Sequence, residues 1–245
     1  MNISPLTNNI STIQPLLSTK YSGEWINVTL GKDRVDRRFV KPKIVFENPS
    51  GSAICLGNGT SRLEYPTWKF SRVNERKILK YYNVMYGCNA VYRDWQPDFL
   101  ITTDQLLAAK MPNESHSTAY APKEIMRRYE KMNLLPGSLR LDAGSAAVYL
   151  ACFHGAHRVF LYGYDGQSDE NCNNNVYADS EFYDTVDSLV SDAAWIKNLN
   201  SVISAYQNVE FIRVAANTED NYRILHRNPN YRVVNFRSFI SLADL

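Results

Sequence analysis

The sequence predicts an α/β fold, a Rossmann-like three-layer domain with a largely parallel sheet. Short apolar runs alternate with segments of helical spacing through most of the 245 residues, which is typical of such folds. Three of the runs, within residues 53–56, 83–92 and 158–166, end at glycine and polar residues. The carboxyl ends of parallel strands lie along one edge of a sheet, where ligands bind. We therefore expect these polar residues to converge.

The first of these runs, residues 53–56, predicts a strand buried on both faces. The loop after it consists of Gly57, Asn58, Gly59, Thr60 and Ser61. Its glycines permit a sharp turn and a close approach to a ligand, and its amides and polar side chains can bind phosphate. We interpret it as a phosphate- or nucleotide-binding loop; an ordinary strand-to-loop turn is the alternative. Arg62 replaces the third glycine of a dinucleotide fingerprint, and it pairs with phosphate or is solvated.

The remaining elements follow from spacing and turn residues. Further strands are expected within residues 83–92, 97–104, 158–166, 208–215 and 233–236, and strands or an extended cover at the edge of the sheet within 24–48. Helices are expected at 71–80, 144–154 and 186–206, with mainly helix and loop at 105–136. Ser145 is the expected cap of the 144–154 helix, and Gly155 its end. Residues 1–20 are expected to form a mobile or loosely docked arm, and residues 21–245 a single domain with a lid around 166–185.

Composition bears on the partners, the cellular compartment and the metal content that we expect for the protein. The net charge of +2 indicates no partner, and four cysteines without C-x-x-C spacing fit a reducing cytoplasm. No secretory signal is visible at the N-terminus. No run is long and apolar enough to span a bilayer, so we expect no membrane partner. No group of His, Cys and Asp has metal-ligand spacing, so no protein-bound structural metal is expected.

Four short motifs occur in a fixed order along the chain. They are residues 57–61 (GNGTS), 87–92 (GCNAVY), 144–152 (GSAAVYLAC) and 159–165 (VFLYGYD). Their order and wording resemble the bacterial and phage-borne sialyltransferase-like glycosyltransferases, over roughly residues 52–215. A pterin pyrophosphokinase-like group shares the first turn. The resemblance implies an enzyme that uses a nucleotide-activated donor, and a host cytoplasm if the gene is phage-borne.

The resemblance also implies roles for individual residues. Asn58 and Ser61 would hold the phosphate or ribose of a UDP- or CMP-sugar, and Asn89 would contact the nucleotide from the next strand. Gly144 and Ser145 would place helix amides near the anionic group. Two tyrosines of the lid would stabilise the departing phosphate; they are Tyr177 and Tyr183.

The general base departs from the family pattern. The family places its catalytic histidine in the loop and lid after the last motif, but residues 166–210 contain no histidine. We therefore expect a carboxylate base, Asp104 or Asp165, to take the proton of the acceptor hydroxyl. Each aspartate has an alternative role, Asp104 as a helix cap and Asp165 as a turn residue. A Mg²⁺ ion held by either one with a diphosphate is a further alternative.

The acceptor is suggested only by charge. The C-terminal segment is rich in arginine, and Arg127, Arg128 and the charged loop at 31–38 could extend its surface. A basic face suits a polyanion, so a hydroxylated base of phage DNA is one hypothesis for the acceptor; solvated or paired arginines are the alternative. Two other functions stay open, a pyrophosphoryl transferase that uses ATP and a nucleotide-binding module without catalysis.

Overall fold

The computed structural model contains one antiparallel hairpin and one large parallel sheet. It describes residues 13–30, 34–43, 45–63, 83–126, 131–165, 175–177, 180, 192–215 and 222–243. The hairpin pairs β1 (Glu24–Leu30) with β2 (Arg34–Val40). The sheet contains β3 (Ser52–Leu56), β4 (Val84–Cys88), β5 (Phe99–Ile101), β6 (Thr118–Ala121), β7 (Asn133–Leu134), β8 (Arg158–Tyr162), β9 (Glu210–Val214) and β10 (Tyr231–Val234). Its helices are α1 (Gln105–Glu114), α2 (Lys123–Met126), α3 (Ala143–Phe153), α4 (Asp192–Ala205) and α5 (Phe236–Leu242).

The strand order confirms the predicted Rossmann-like sheet. The eight strands lie in the order β10-β9-β8-β3-β4-β5-β6-β7, and every pairing is parallel. From β3 the chain winds outward through β4 to β7, then returns to β8 on the other side of β3. The winding direction therefore reverses between β3 and β8. In open α/β sheets this topological switch point opens a crevice at the carboxyl ends of the two strands.

Helices cover both faces of the sheet, as the alternation of side chains shows. Tyr86 and Phe99 point to the face where they contact His154, the residue that follows α3. Phe160 and Tyr162 point to the other face, where they pack on Phe239 of α5. The arrangement is the predicted three-layer sandwich. Within the described residues no helix is long and apolar enough to cross a membrane.

Several elements differ from the expectations. The hairpin is a separate two-stranded sheet rather than an edge of the main sheet. Two strands, β6 and β7, lie where mainly helix and loop were expected, because four and two residues are too short to show a period. Ser145 does not cap α3; the cap is Asp142. The expected 71–80 helix, the start of the 186–206 helix and most of the lid lie outside the described residues.

The described part of the N-terminal arm contacts the domain. Ile13 is 6% exposed. The amide and carbonyl groups of Leu16 both bond to the hydroxyl of Tyr206, at 3.1 and 3.0 Å. The hydroxyl of Ser18 donates to the carbonyl oxygen of Phe46 at 2.6 Å. Residues 13–20 are therefore tied to the core by hydrogen bonds, and residues 1–12 lie outside the described part of the chain.

Candidate functional site

Two loops meet at the switch point and bond directly to each other. The amide of Gly57, after β3, donates to the carbonyl oxygen of Tyr162 at 2.8 Å. The amide of Gly59 donates to the carbonyl oxygen of Gly163 at 2.8 Å, and that of Ser61 to Oδ2 of Asp165 at 2.6 Å. The loop after β3 is therefore held along its length by the loop after β8. Thr60 lies at the exposed start of the 3-10 helix Thr60–Leu63.

This close approach explains the two glycines of the first loop. A Cβ atom on Gly57 would overlap the carbonyl oxygen of Gly163. A Cβ atom on Gly59 would overlap the carboxylate of Asp165. Both positions therefore need glycine for space, whatever the loop binds. The predicted tight turn is confirmed, and part of its purpose is to pack against the β8 loop.

Asn58 and Asn89 come from neighbouring strands and lie near each other. The thiol of Cys88, at the end of β4, contacts Oδ1 of Asn58 at 3.9 Å. Asn89 follows directly and has a φ of 47°, a left-handed conformation that asparagine adopts more readily than most residues. Its Oδ1 accepts a hydrogen bond from the hydroxyl of buried Thr102 at 3.1 Å. The amide group of Asn89 is thus held in a fixed orientation at the sheet edge.

The amino end of α3 reaches the same edge. Asp142 caps the helix: its Oδ1 accepts from the amide of Ser145 at 2.8 Å and its Oδ2 from the Ser145 hydroxyl at 2.7 Å. Asn198 of α4 donates to the same Oδ2 at 3.0 Å. The hydroxyl of Tyr164 donates to the carbonyl oxygen of Gly144 at 2.9 Å, which ties the helix start to the β8 loop. Ser145 is therefore engaged with its own cap, and Gly144 lies closer to the crevice residues.

Arg62 is neither solvated nor on the surface. Its side chain is 1% exposed. The guanidinium donates to the carbonyl oxygen of Gly57 at 3.2 Å and to Oδ2 of Asp94 at 3.0 Å. It also donates to the hydroxyl of Tyr177 at 2.6 Å, and its Cζ lies 5.1 Å from the centre of that ring. The arginine thus joins the first loop to two other segments of the chain.

Tyr177 completes this cluster. It is 7% exposed, and its hydroxyl donates to Oδ2 of Asp94 at 2.7 Å. The neighbouring amide of Val176 donates to the carbonyl oxygen of Asn58 at 2.8 Å. Burial raises the pKa of the Tyr177 hydroxyl well above its usual value, so it stays protonated as a donor. Residues 175–177 are therefore fixed against the first loop. Tyr183 lies outside the described residues.

The two candidate bases occupy different parts of the edge. Asp104 caps α1, since its Oδ1 accepts from the amides of Leu106 and Leu107 at 2.7 and 2.9 Å. Asp165 holds the amide of Ser61 through Oδ2. Three strand spacings separate β5 from β8, roughly 14 Å, so the two carboxylates belong to different subsites. Each has one oxygen that is not used by these amide contacts.

The four histidines lie at the opposite edge. His116 and His157 precede β6 and β8, His154 follows α3, and His226 lies in the 3-10 helix before β10. His154 is fully buried, its Nδ1 lies 3.0 Å from the hydroxyl of Tyr86, and burial lowers its pKa to about 3. All four are therefore near the amino ends of strands. The four histidines are therefore separated from the carboxyl edge where the two loops meet.

Three polar residues of the site were not singled out from the sequence: Asp94, Thr102 and Asp142. Asp142 could have been found, because it precedes the apolar run at 143–153 in the position of a helix cap. Asp94 and Thr102 carry no such local signal, since their partners are distant in sequence. Among the described residues, no group of three or more His, Cys, Asp or Glu side chains could hold a metal ion.

Comparison with known proteins gives two structural likenesses. The chain is similar to the monofunctional α-2,3-sialyltransferase Cst-I of Campylobacter jejuni, with 13% identity, a TM-score of 0.46, and 70% of this chain and 78% of that chain covered. It is also similar to the sialyltransferase CstII of Campylobacter jejuni, solved with cytidine-5'-monophosphate, with 13% identity, a TM-score of 0.43, and coverage of 68% and 80%. No family model and no curated protein matches the chain. At this identity the likenesses assign neither an activity nor a ligand to it.

Proposed function

We propose that this protein is a glycosyltransferase that moves a sugar from a nucleotide-activated donor to a hydroxyl acceptor. One observation supports the proposal above others. The four motifs that resemble the sialyltransferase-like family all reach the carboxyl edge of the sheet around the switch point. They are far apart in sequence, and the edge where they meet is where open α/β sheets bind their ligands.

We assign the donor to the crevice between the first loop and the start of α3. Asn58 and Asn89 flank it from neighbouring strands, and the fixed orientation of Asn89 suits recognition of a base or ribose edge. The amino end of α3 favours the negative charge of a nucleotide phosphate. A UDP- or CMP-sugar meets these requirements, and of the two the resemblance favours CMP. Thr60 and Ser61 complete the phosphate side of this arrangement.

The reaction then needs a base and a stabilised leaving group. A carboxylate takes the proton from the acceptor hydroxyl, and the oxygen of that hydroxyl forms a bond to the anomeric carbon. The bond between that carbon and the phosphate oxygen breaks, and the electron pair leaves with the nucleotide. Preorganised donors near the phosphate stabilise this charge. The amide of Gly144 is the donor we assign to that task, whereas Tyr177, whose hydroxyl donates to Asp94, positions the first loop through Arg62 and the neighbouring Val176 amide.

Replacing either candidate base tests the mechanism. We expect Asp104→Asn or Asp165→Asn to lower turnover by roughly 10²- to 10⁴-fold, with little change in donor affinity. Asp165 holds the Ser61 amide, whereas Asp104 holds α1, so a folding defect is checked for each by circular dichroism. If both variants stay folded and keep full turnover, the carboxylate base is wrong.

Nucleotide binding is the direct test of the site. A thermal-shift screen with CMP, UDP, ATP and their sugar conjugates identifies a ligand, since a ligand at a hundredfold its Kd adds about 2.7 kcal/mol. Asn58→Ala and Asn89→Ala should then lose most of the affinity in calorimetric titration. Asn113→Ala, an exposed asparagine at the other end of α1, is the matched control. Binding that is unchanged in both site variants, or pyrophosphate transfer from ATP with Mg²⁺, would contradict the proposal.

The acceptor is more consistent with a small hydroxyl compound than with duplex DNA held by the C-terminal arginines. Arg213 is 9% exposed and its guanidinium lies 4.8 Å from the ring centre of Tyr222. Arg232 pairs with Glu210 at 2.8 Å near the amino end of β10, away from the crevice. Both guanidinium groups are therefore engaged in contacts within the domain rather than presented to a duplex. Removing Arg223 and Arg227 together should therefore leave activity unchanged, and a loss of activity on a DNA acceptor would restore the DNA hypothesis.

A further inference from the structure

The β1–β2 hairpin presents one face to solvent. Its register pairs Trp25 with Phe39 and Asn27 with Arg37, so these four side chains share a face. Ile26, on the opposite face, is 3% exposed and packs inward. Trp25 is 57% exposed and Phe39 is 40% exposed. Large aromatic side chains are therefore displayed on a hydrogen-bonded ribbon instead of being buried with the core.

The aromatic and cationic groups on this face are arranged together. The ring centres of Trp25 and Phe39 lie 5.4 Å apart with an angle of 59° between the planes. The guanidinium carbon of Arg37 lies 5.1 Å from the centre of the indole. Two rings and a planar cation thus form one short row across the two strands. We call this row, with Asn27, the hairpin face.

Among the described residues, the charged groups that border the hairpin face on its own side are cations. Arg37 and Lys41 are exposed. Of the nearby carboxylates, Asp36 pairs with Arg38 at 3.0 Å. Glu24 turns away, and its Oε1 accepts from the hydroxyl of Tyr21 at 2.8 Å and the amide of Gly137 at 3.0 Å. A partner that approaches this face therefore meets aromatic rings bordered by cations.

We propose that the hairpin face binds single-stranded nucleic acid. Unstacked bases can stack on the rings of Trp25 and Phe39 and on the guanidinium plane of Arg37, while the cations contact the phosphates. In duplex DNA the bases are stacked on each other and offer no free ring faces. A lipid surface is a poorer fit, because Asn27 and Arg37 interrupt the apolar residues. This binding does not depend on the proposed glycosyltransferase activity.

Fluorescence anisotropy with labelled oligo(dT) and oligo(U) tests the proposal on the full chain. We expect Trp25→Ala to weaken binding by roughly 5- to 150-fold, the usual effect of losing one stacked base, and Trp25→Tyr to restore most of it. In the variant Arg37→Ala/Lys41→Ala, the slope of the logarithm of the binding constant against the logarithm of the salt concentration should become shallower by up to about 1.4. Each contact to a single-strand phosphate contributes about 0.7 to this slope. A difference between the two oligomers identifies DNA or RNA as the preferred strand.

Matched variants separate this face from general surface effects. Leu106→Ala removes a side chain that is 64% exposed on α1, and Arg237→Ala removes an exposed cation on α5; both should bind like the wild type. The proposal is overturned by any of three results. These are no binding at low salt, equal binding of the Trp25→Ala variant, or a stronger affinity for heparin or for anionic phosphatidylserine vesicles than for both oligomers. Concentration-dependent dimerisation that Trp25→Ala abolishes, without nucleic acid binding, would instead assign the face to a second copy of the chain.

Discussion

Arg62 and Asp94 give the sharpest test of how the candidate site is held together. Arg62 is 1% exposed, whereas the Asp94 side chain is 47% exposed. The two partners are therefore not equivalent. Removing the carboxylate leaves a cation buried without its counter-charge, while removing the cation leaves a carboxylate that water can solvate. Burial alone would rank Arg62 as the more sensitive position, and electrostatics predicts the reverse.

The magnitude follows from these contacts. Loss of one partner of a buried ion pair costs about 3–5 kcal/mol, and the Tyr177 hydroxyl, still bonded to the guanidinium, offsets part of it. We expect Asp94→Asn to destabilise the protein by about 2–4 kcal/mol. Arg62→Met should cost about 1–3 kcal/mol, because it loses hydrogen bonds but fills the same space. The double variant should lose less stability than the sum of the losses of the two single variants.

Urea unfolding followed by circular dichroism measures these differences through the midpoint and slope. Asp36→Asn, which breaks the exposed pair with Arg38, is the matched control and should cost less than about 1 kcal/mol. A value for Asp94→Asn as small as that of Asp36→Asn would refute the reasoning. A double variant about as stable as Arg62→Met alone would support it, since without the guanidinium the loss of the carboxylate no longer leaves a buried charge unpaired.

Three further predictions concern other parts of the fold. Burial lowers the pKa of His154 to about 3, so as pH falls from 6.5 the unfolded state takes up a proton that the native state does not. The free energy of unfolding should fall by up to about 1.4 kcal/mol per pH unit in that window. In urea titrations at several pH values, His154→Phe should remove this part of the pH dependence, and the control His116→Gln, at an exposed position, should not. Gly59→Ala should destabilise by about 1–3 kcal/mol in thermal unfolding, since its Cβ would overlap the Asp165 carboxylate; a stability equal to the wild type would contradict the packing of the two loops. Burial protects the thiols of Cys55, Cys88 and Cys152 and raises their pKa values. In a Cys172→Ser background no thiol should therefore react with Ellman's reagent at pH 8 until the protein unfolds. Rapid reaction of the native protein would show that these thiols are accessible.

Some of the fold could be predicted because its signal is local. The strands at 53–56, 84–88, 158–162 and 210–214 are apolar runs bounded by turn residues, and all four are strands of the sheet. Helix α3 was expected from its apolar run, and the structure places it within one residue of that position. Because each signal is contained in a few neighbouring residues, the element can be predicted without knowledge of the rest of the chain.

The roles of polar residues could be predicted only in part. Asp104 has a cap contact that sequence reasoning weighed as an alternative to catalysis, and the structure contains that cap. Arg62 was expected to pair with phosphate or to be solvated, yet its described contacts are to Gly57, Asp94 and Tyr177. The sequence does not distinguish a charged side chain that is exposed from one that is buried. Its environment is set by segments that lie 32 and 115 residues away.

The sequence by itself determined that this chain alternates strands and helices and that polar residues follow its strands. Periodicity and turn chemistry are properties of adjacent residues, so they can be obtained from one sequence. Only the tertiary structure decided that β8 returns beside β3, that Asp165 holds the Ser61 amide, and that the hairpin displays its aromatic side chains. Those outcomes depend on which distant segments become neighbours, and that is settled by packing of the whole domain.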